Sequence, residues 1–132
     1  MFVRLLSLGA ISGALAGVAS LVYQKVYTDS LGYDFSAIVS TPKIMMTCVA
    51  AGIVASIGFW ALHKLLKSNT EIVFNLIFTI LSFASILGPF KTKLPLDVEM
   101  PELFVGLTIP MHFFPVLGWL TLRPLFIKSK DL

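Results

Sequence analysis

Two histidines and one cysteine are the side chains of this 132-residue chain with the widest chemical repertoire. His112 stands in the run Ile109-Pro110-Met111-His112-Phe113-Phe114-Pro115. Each proline removes a backbone donor and crowds the turn before it. The carbonyls of Gly106 and Met111 therefore lose their usual partners, and a bend or local unwinding is expected here. An imidazole beside freed carbonyls suits two tasks. It can repair the interruption by donating to a freed carbonyl or to Ser82, or it can hold a ligand or a proton, as ionisable groups in broken membrane helices do. Thr108, His112, Pro115 and Trp119 share one helix face at i, i+4, i+7 and i+11 spacing. Counting about 1.5 Å of rise per helical residue brings Gly17, Gly52 and Ser82 to the depth of His112. A small polar cavity lined by His112, Thr108, Ser82, Gly17 and Gly52 is the candidate ligand site.

Other chemistry is sparse. By the same count His63 lies roughly 15 Å nearer one surface than His112. Axial haem ligands must share one depth, so no bis-histidine haem is expected within one chain. Cys48 is the single cysteine and sits in an apolar block, so no internal disulfide can form and a packing role is expected. The sequence has no serine–histidine–acid constellation, no phosphate-cradling glycine loop and no metal-spaced His/Cys cluster. Glu71 and Glu102 fall at helix starts, where the helix dipole accounts for them. Asp97 and Glu99 read as a solvated loop with at most weak cation affinity. No catalytic residue, metal or cofactor is expected.

These side chains belong to long apolar blocks. The chain is 57% hydrophobic and only 13% charged, where soluble domains carry about 25% charged residues. Four blocks, at about 2–27, 42–66, 70–90 and 102–127, each reach the roughly 20 residues needed to cross a bilayer. Backbone groups in lipid must find internal partners, so the blocks must be helices. The expected fold is all-α: one domain over 1–132, an integral membrane four-helix antiparallel bundle. Arg4 and the small residues Gly17-Val18-Ala19-Ser20 resemble parts of a secretion signal, but the apolar stretch is too long and reads as a retained helix.

Charge placement sets the expected orientation. Arg4, Lys64, Lys67, Arg123, Lys128 and Lys130 fall on one side, and Lys25, Lys43, Lys91 and Lys93 on the other. The positive-inside rule then places both termini in the cytoplasm, with a bacterial inner membrane as the expected location. Tyr23, Tyr27 and Tyr33 fall near the outer surface, and Trp60 and Trp119 towards the inner one, as interfacial belts do. The net charge of +3 is scattered beside the apolar blocks, which suits lipid headgroups and argues against nucleic acid.

Gly9, Gly13 and Gly17 form G-x-x-x-G-x-x-x-G, a stripe that lets a second helix approach closely; Ser20 and Gln24 extend it. Cys48, Gly52, Ser56 and His63 form a similar stripe in the second helix, and Asn75, Thr79, Ser82 and Ser85 one in the third. Such faces belong inside a bundle or at a subunit interface. The helix count and length resemble those of the small multidrug transporters, whose first helix carries an acidic residue that has no counterpart here. The membrane-bound glutathione and eicosanoid enzymes are similar in helix number, but their Arg- and Glu-rich helix motif is missing. The expected function is an accessory or assembly subunit of a membrane complex, or a homo-oligomer. The alternative is a small transporter or ligand-binding protein using the Pro110–His112–Pro115 segment.

Overall fold

The computed structural model describes residues 1–128. Lys130, which enters the charge comparison, lies outside the described residues. The described chain is helical, with no strand. It comprises α1 (Phe2–Leu31), α2 (Thr41–Leu66), a short 3-10 turn (Lys67–Asn69), α3 (Thr70–Ser85), α4 (Leu87–Lys91) and α5 (Pro101–Phe126). Three helical stretches are long and apolar enough to cross a membrane: Phe2–Leu31, Thr41–Lys91 and Pro101–Phe126.

The boundaries depart from the sequence reading in two places. α1 runs past Tyr27 to Leu31 and stops at Gly32, whose φ of 76° is left-handed and whose N–H bonds to the Thr28 carbonyl. Glycine takes that conformation without a Cβ penalty, which ends the helix. The block at 70–90 is two helices. Pro89 cannot donate to the carbonyl of Ser85, and α3 ends at Ser85 for that reason.

The middle stretch of 51 residues folds back on itself. Lys67 adopts a positive φ of 47°, and the rings of Phe59 and Phe74, on either side of the turn, meet at 5.1 Å. Thr70 braces the turn by donating to the Lys67 carbonyl at 2.6 Å.

α1 is the central element and packs antiparallel to both α2 and α5. Against α2 the two backbones meet through small residues. A Cβ added to Gly9 would lie 2.4 Å from the Gly52 carbonyl oxygen, and one added to Gly52 would lie 2.1 Å from that of Gly9. At Gly13 a Cβ would lie 2.6 Å from the Cys48 carbonyl oxygen, and at Gly17 it would lie 2.5 Å from the Met45 sulfur. The glycine stripe is thus spent inside the chain. Ser20, Cys48 and Ser56 are buried along the same seam, and Ser12 is buried on the side of α1 that meets Gly118 of α5. The opposite face of α1 exposes Ile11, Leu15, Val18, Val22 and Val26, a continuous aliphatic stripe at helical spacing.

Two apolar clusters fill the interior. One joins Leu5, Leu8, Ala55, Phe59, Phe74 and Trp119; the other joins Ala16, Phe35, Ile44, Cys48, Phe104, Leu107 and Met111. Trp119 is fully buried and donates from Nε1 to Ser56 Oγ at 2.9 Å. It is a core residue, not a member of an interfacial belt. Trp60 packs on Phe2 at 4.9 Å and carries the Lys64 ammonium over its ring at 3.9 Å.

The α1–α2 contact predicts an asymmetric response to bulk. Gly52→Val drives a side chain into backbone that cannot rotate away, at a cost of about 1–3 kcal/mol. Val18→Leu, on the exposed stripe, is expected to be neutral. Reversible unfolding in mixed detergent micelles measures both.

Candidate functional site

The side chains that could do chemistry meet at a cleft between α2, α3 and α5. It has a volume of about 800 Å³, within the range of about 300–1,000 Å³ usual for small-molecule sites. Phe59 and Phe74 bring α2 and α3 together near the turn; beyond them the helices are held apart. α2 contributes one face from Lys43 through Thr47, Ala51 and Val54 to Leu62, and α3 contributes Phe74 to Ser85. α5 forms the floor with Thr108, Met111, His112, Pro115 and Val116. The cleft is open at its side, because Val54, Ile77 and Leu81 line it and remain 68%, 41% and 60% exposed.

Of the five residues proposed from sequence, three line this cleft: His112, Thr108 and Ser82. Gly17 and Gly52 do not. They sit in the α1–α2 seam, with Met45 and Gly9 filling the space above them. Equal depth places residues at one level but does not say which face they share, so the depth count could not separate the seam from the cleft.

His112 is half-buried. Its Nδ1 lies 2.7 Å from the Thr108 carbonyl. A carbonyl only accepts, so Nδ1 carries the proton and Nε2 is left as the acceptor of the neutral ring. Thr108 is buried and returns its hydroxyl proton to the Phe104 carbonyl at 2.9 Å. Ser82 does the same to Phe78 at 2.6 Å, and Ser85 to Ser82 at 2.7 Å. The protons of these hydroxyls are therefore committed to their own helices, and the imidazole Nε2 is the nitrogen acceptor that the cleft offers a guest molecule.

The prolines do not interrupt α5, which is assigned as one helix across Pro110, Pro115 and Pro124. The partner that repairs Pro110 is not His112. Tyr23 on α1 donates its hydroxyl to the Gly106 carbonyl at 3.1 Å, and Tyr27 donates to Leu103 at 2.7 Å. A Cβ on Gly106 would lie 2.7 Å from the Tyr27 hydroxyl, so a larger residue there would displace the tyrosine tip. Sequence reasoning assigned both tyrosines to a headgroup belt. The signal that links them to α5 is the proline at 110, which frees a carbonyl one level away.

A second polar contact lies at the other end of α5. Arg123 pairs with Glu71, donates to Asn75 Oδ1 at 3.4 Å and lies 5.9 Å from the centre of the Phe59 ring. Its side chain is 13% exposed and that of Glu71 45%. Glu71 thus ties α3 to α5 as well as opening α3. In the α3 stripe expected to face inward, Ser82 is buried and Asn75 half-buried, but Thr79 and Ser85 are exposed. His63 is half-buried beside the α2 terminus, away from His112. Among the described residues no group of three or more His, Cys, Asp or Glu side chains could hold a metal.

Tyr23→Phe leaves the Gly106 carbonyl without its donor and is expected to cost about 1 kcal/mol. In a Pro110→Ala background the helix supplies its own N–H and the same change should cost less. A double-mutant cycle by detergent unfolding reads the difference; equal costs in both backgrounds would contradict the assignment.

No family model matches the chain, and neither a curated protein nor a solved structure matches it.

Proposed function

We propose that the chain is a multi-pass membrane protein that crosses the bilayer four times and binds an apolar or weakly polar molecule in the lateral cleft beside His112. The fold-back at Lys67–Asn69 supports the count. It divides the middle stretch into α2 and an α3–α4 segment, and each approaches the roughly 20 residues that a crossing needs. Both termini then face the cytoplasm under the positive-inside rule, and a bacterial inner membrane fits the composition.

The observation that carries the binding reading is the cleft itself: a long apolar space with a histidine acceptor on its floor. Apolar lining with a few placed polar groups is the usual make-up of a small-molecule site. The lining holds no acid and no second base near His112 for proton transfer or nucleophilic attack, so binding or passage is favoured over catalysis.

The second reading is an accessory or assembly subunit, or a homo-oligomer. It loses its first support, because the glycine stripe packs within the chain. It keeps one: the side of the cleft between α2 and α3 is open, with Val54, Ile77 and Leu81 exposed there, which offers a helix of another chain an apolar surface to pack on.

One experiment separates the two. Native mass spectrometry of protein gently extracted from its own membrane, compared with an Ala51→Phe variant that fills the cleft, should show a bound small-molecule mass in the wild type and its loss in the variant. His112→Ala should weaken retention of that mass without changing the subunit count. Additional protein chains lost on Ala51→Phe would support the subunit reading instead. An unliganded monomer in both proteins would contradict both.

A further inference from the structure

The cleft has a charged mouth and an apolar body, and this asymmetry points to the class of its occupant. Ile38, Val39 and Lys43 line the end nearest the α1–α2 loop. Lys43 is exposed and its ammonium donates to the Ile38 carbonyl at 3.2 Å, which holds the charge at that end. Lys43 also belongs to the first turn of α2, and no acidic residue shares that turn. The helix dipole is positive there and favours an anion, so the lysine adds like charge to a site that already lacks a counter-ion. Among the described residues no carboxylate lines the cleft. Away from the mouth, the walls are mainly aliphatic and aromatic down to Phe74 and Phe78, with Thr47, Ser82, Thr108 and His112 as uncharged or weakly basic polar points along them. These two rings lie 4.7 Å and 5.9 Å from that of Trp119. From Lys43 to Leu62, α2 rises by roughly 28 Å at about 1.5 Å per residue, enough to accommodate an extended acyl chain.

We infer that the cleft takes an acyl chain of an anionic membrane lipid, with the headgroup at Lys43 and the chain running past His112 towards Phe74. This rests on the membrane-embedded cleft proposed above and names its occupant. A long narrow space open at the side fits a chain that enters from the bilayer without leaving it. The His112 Nε2 falls part-way along the chain, where it can accept from a hydroxyl if the lipid carries one.

Trp119 provides the readout. With Trp60→Phe it becomes the single tryptophan, and it is shielded from bulk lipid by its burial. The protein is reconstituted in phosphatidylcholine vesicles doped with phosphatidylglycerol or phosphatidylcholine brominated along the acyl chain. Brominated phosphatidylglycerol should quench Trp119 at about a fivefold lower mole fraction than brominated phosphatidylcholine, the scale of one basic residue acting on an anionic lipid. Lys43→Gln should bring the two lipids to the same curve, and Ala51→Phe should remove the quenching by both. Equal quenching by the two lipids in the wild type, or a preference that survives Lys43→Gln, would overturn the anionic selection and leave the cleft as a binding site. Quenching no greater than in Ala51→Phe would overturn the acyl chain as occupant. The mass measurement on native protein decides independently whether the cleft binds anything.

Discussion

The close approach of α1 and α2 at Gly9, Gly13 and Gly52 is the contact on which the rest of the structure depends. At Gly9 and Gly52 no Cβ fits between the backbones, and at Gly13 the neighbour is again backbone. In lipid, burial of apolar side chains gives helices little reason to associate, so packing and hydrogen bonds must supply the attraction. Backbone contact over about one turn, from Gly9 to Gly13, provides the packing. It also fixes α1 as the element that the others use. α5 lies beside α2 on the adjoining face of α1, close enough for Gly118 to meet the Ser12 carbonyl and for Tyr23 and Tyr27 to bond the α5 backbone.

That arrangement leaves α3 as the outlying helix. It touches the body through Phe74 and Phe78 against Phe59 and Trp119, and through the Glu71–Arg123 pair. Both contacts lie towards the turn that joins it to α2. At the far end, Phe83 meets Phe113 at 5.4 Å across the α5 side, while the α2 side stays open. The cleft therefore accompanies tight packing elsewhere: small residues bring α1 close to α2 and α5, while α3 meets the body through aromatic rings towards the turn and at Phe83. Its floor is α5, where Tyr23 of α1 donates to the carbonyl that Pro110 frees.

Much of this was legible in the amino-acid pattern, for a physical reason. Glycine and serine at every fourth position of an apolar helix have little use except close packing, and the faces of α1 and α2 follow from it. The helical class and the long apolar stretches follow from hydropathy and the rule that backbone groups in lipid are satisfied internally. What the pattern hid were contacts between residues with respectable local explanations. Tyr23, Tyr27 and Trp119 each suit a headgroup level, and Glu71 suits a helix start, so nothing in the local sequence asked for a partner. The polar stripe of α3 misled in the opposite direction. Ser82 and Ser85 satisfy their hydroxyls on their own helix, so a polar side chain there did not require an interior face. The break at Ser85 was visible in Pro89. The cleft was not, because a space is a property of helix separation, which spacing along one helix does not encode.

The fold-back of the middle stretch is the feature on which the cleft rests, and with it the proposed four crossings and the proposed placement of both termini. Its most direct measurement is the sidedness of two engineered cysteines, Ser36→Cys in the α1–α2 loop and Ser68→Cys in the turn, each in a Cys48→Ser background. A membrane-impermeant maleimide is applied to right-side-out and to inverted vesicles. The account predicts that the two positions label from opposite faces, with Ser68→Cys on the cytoplasmic one. Labelling of both from the same face would mean that α2 does not cross the bilayer as a separate span, and would contradict it.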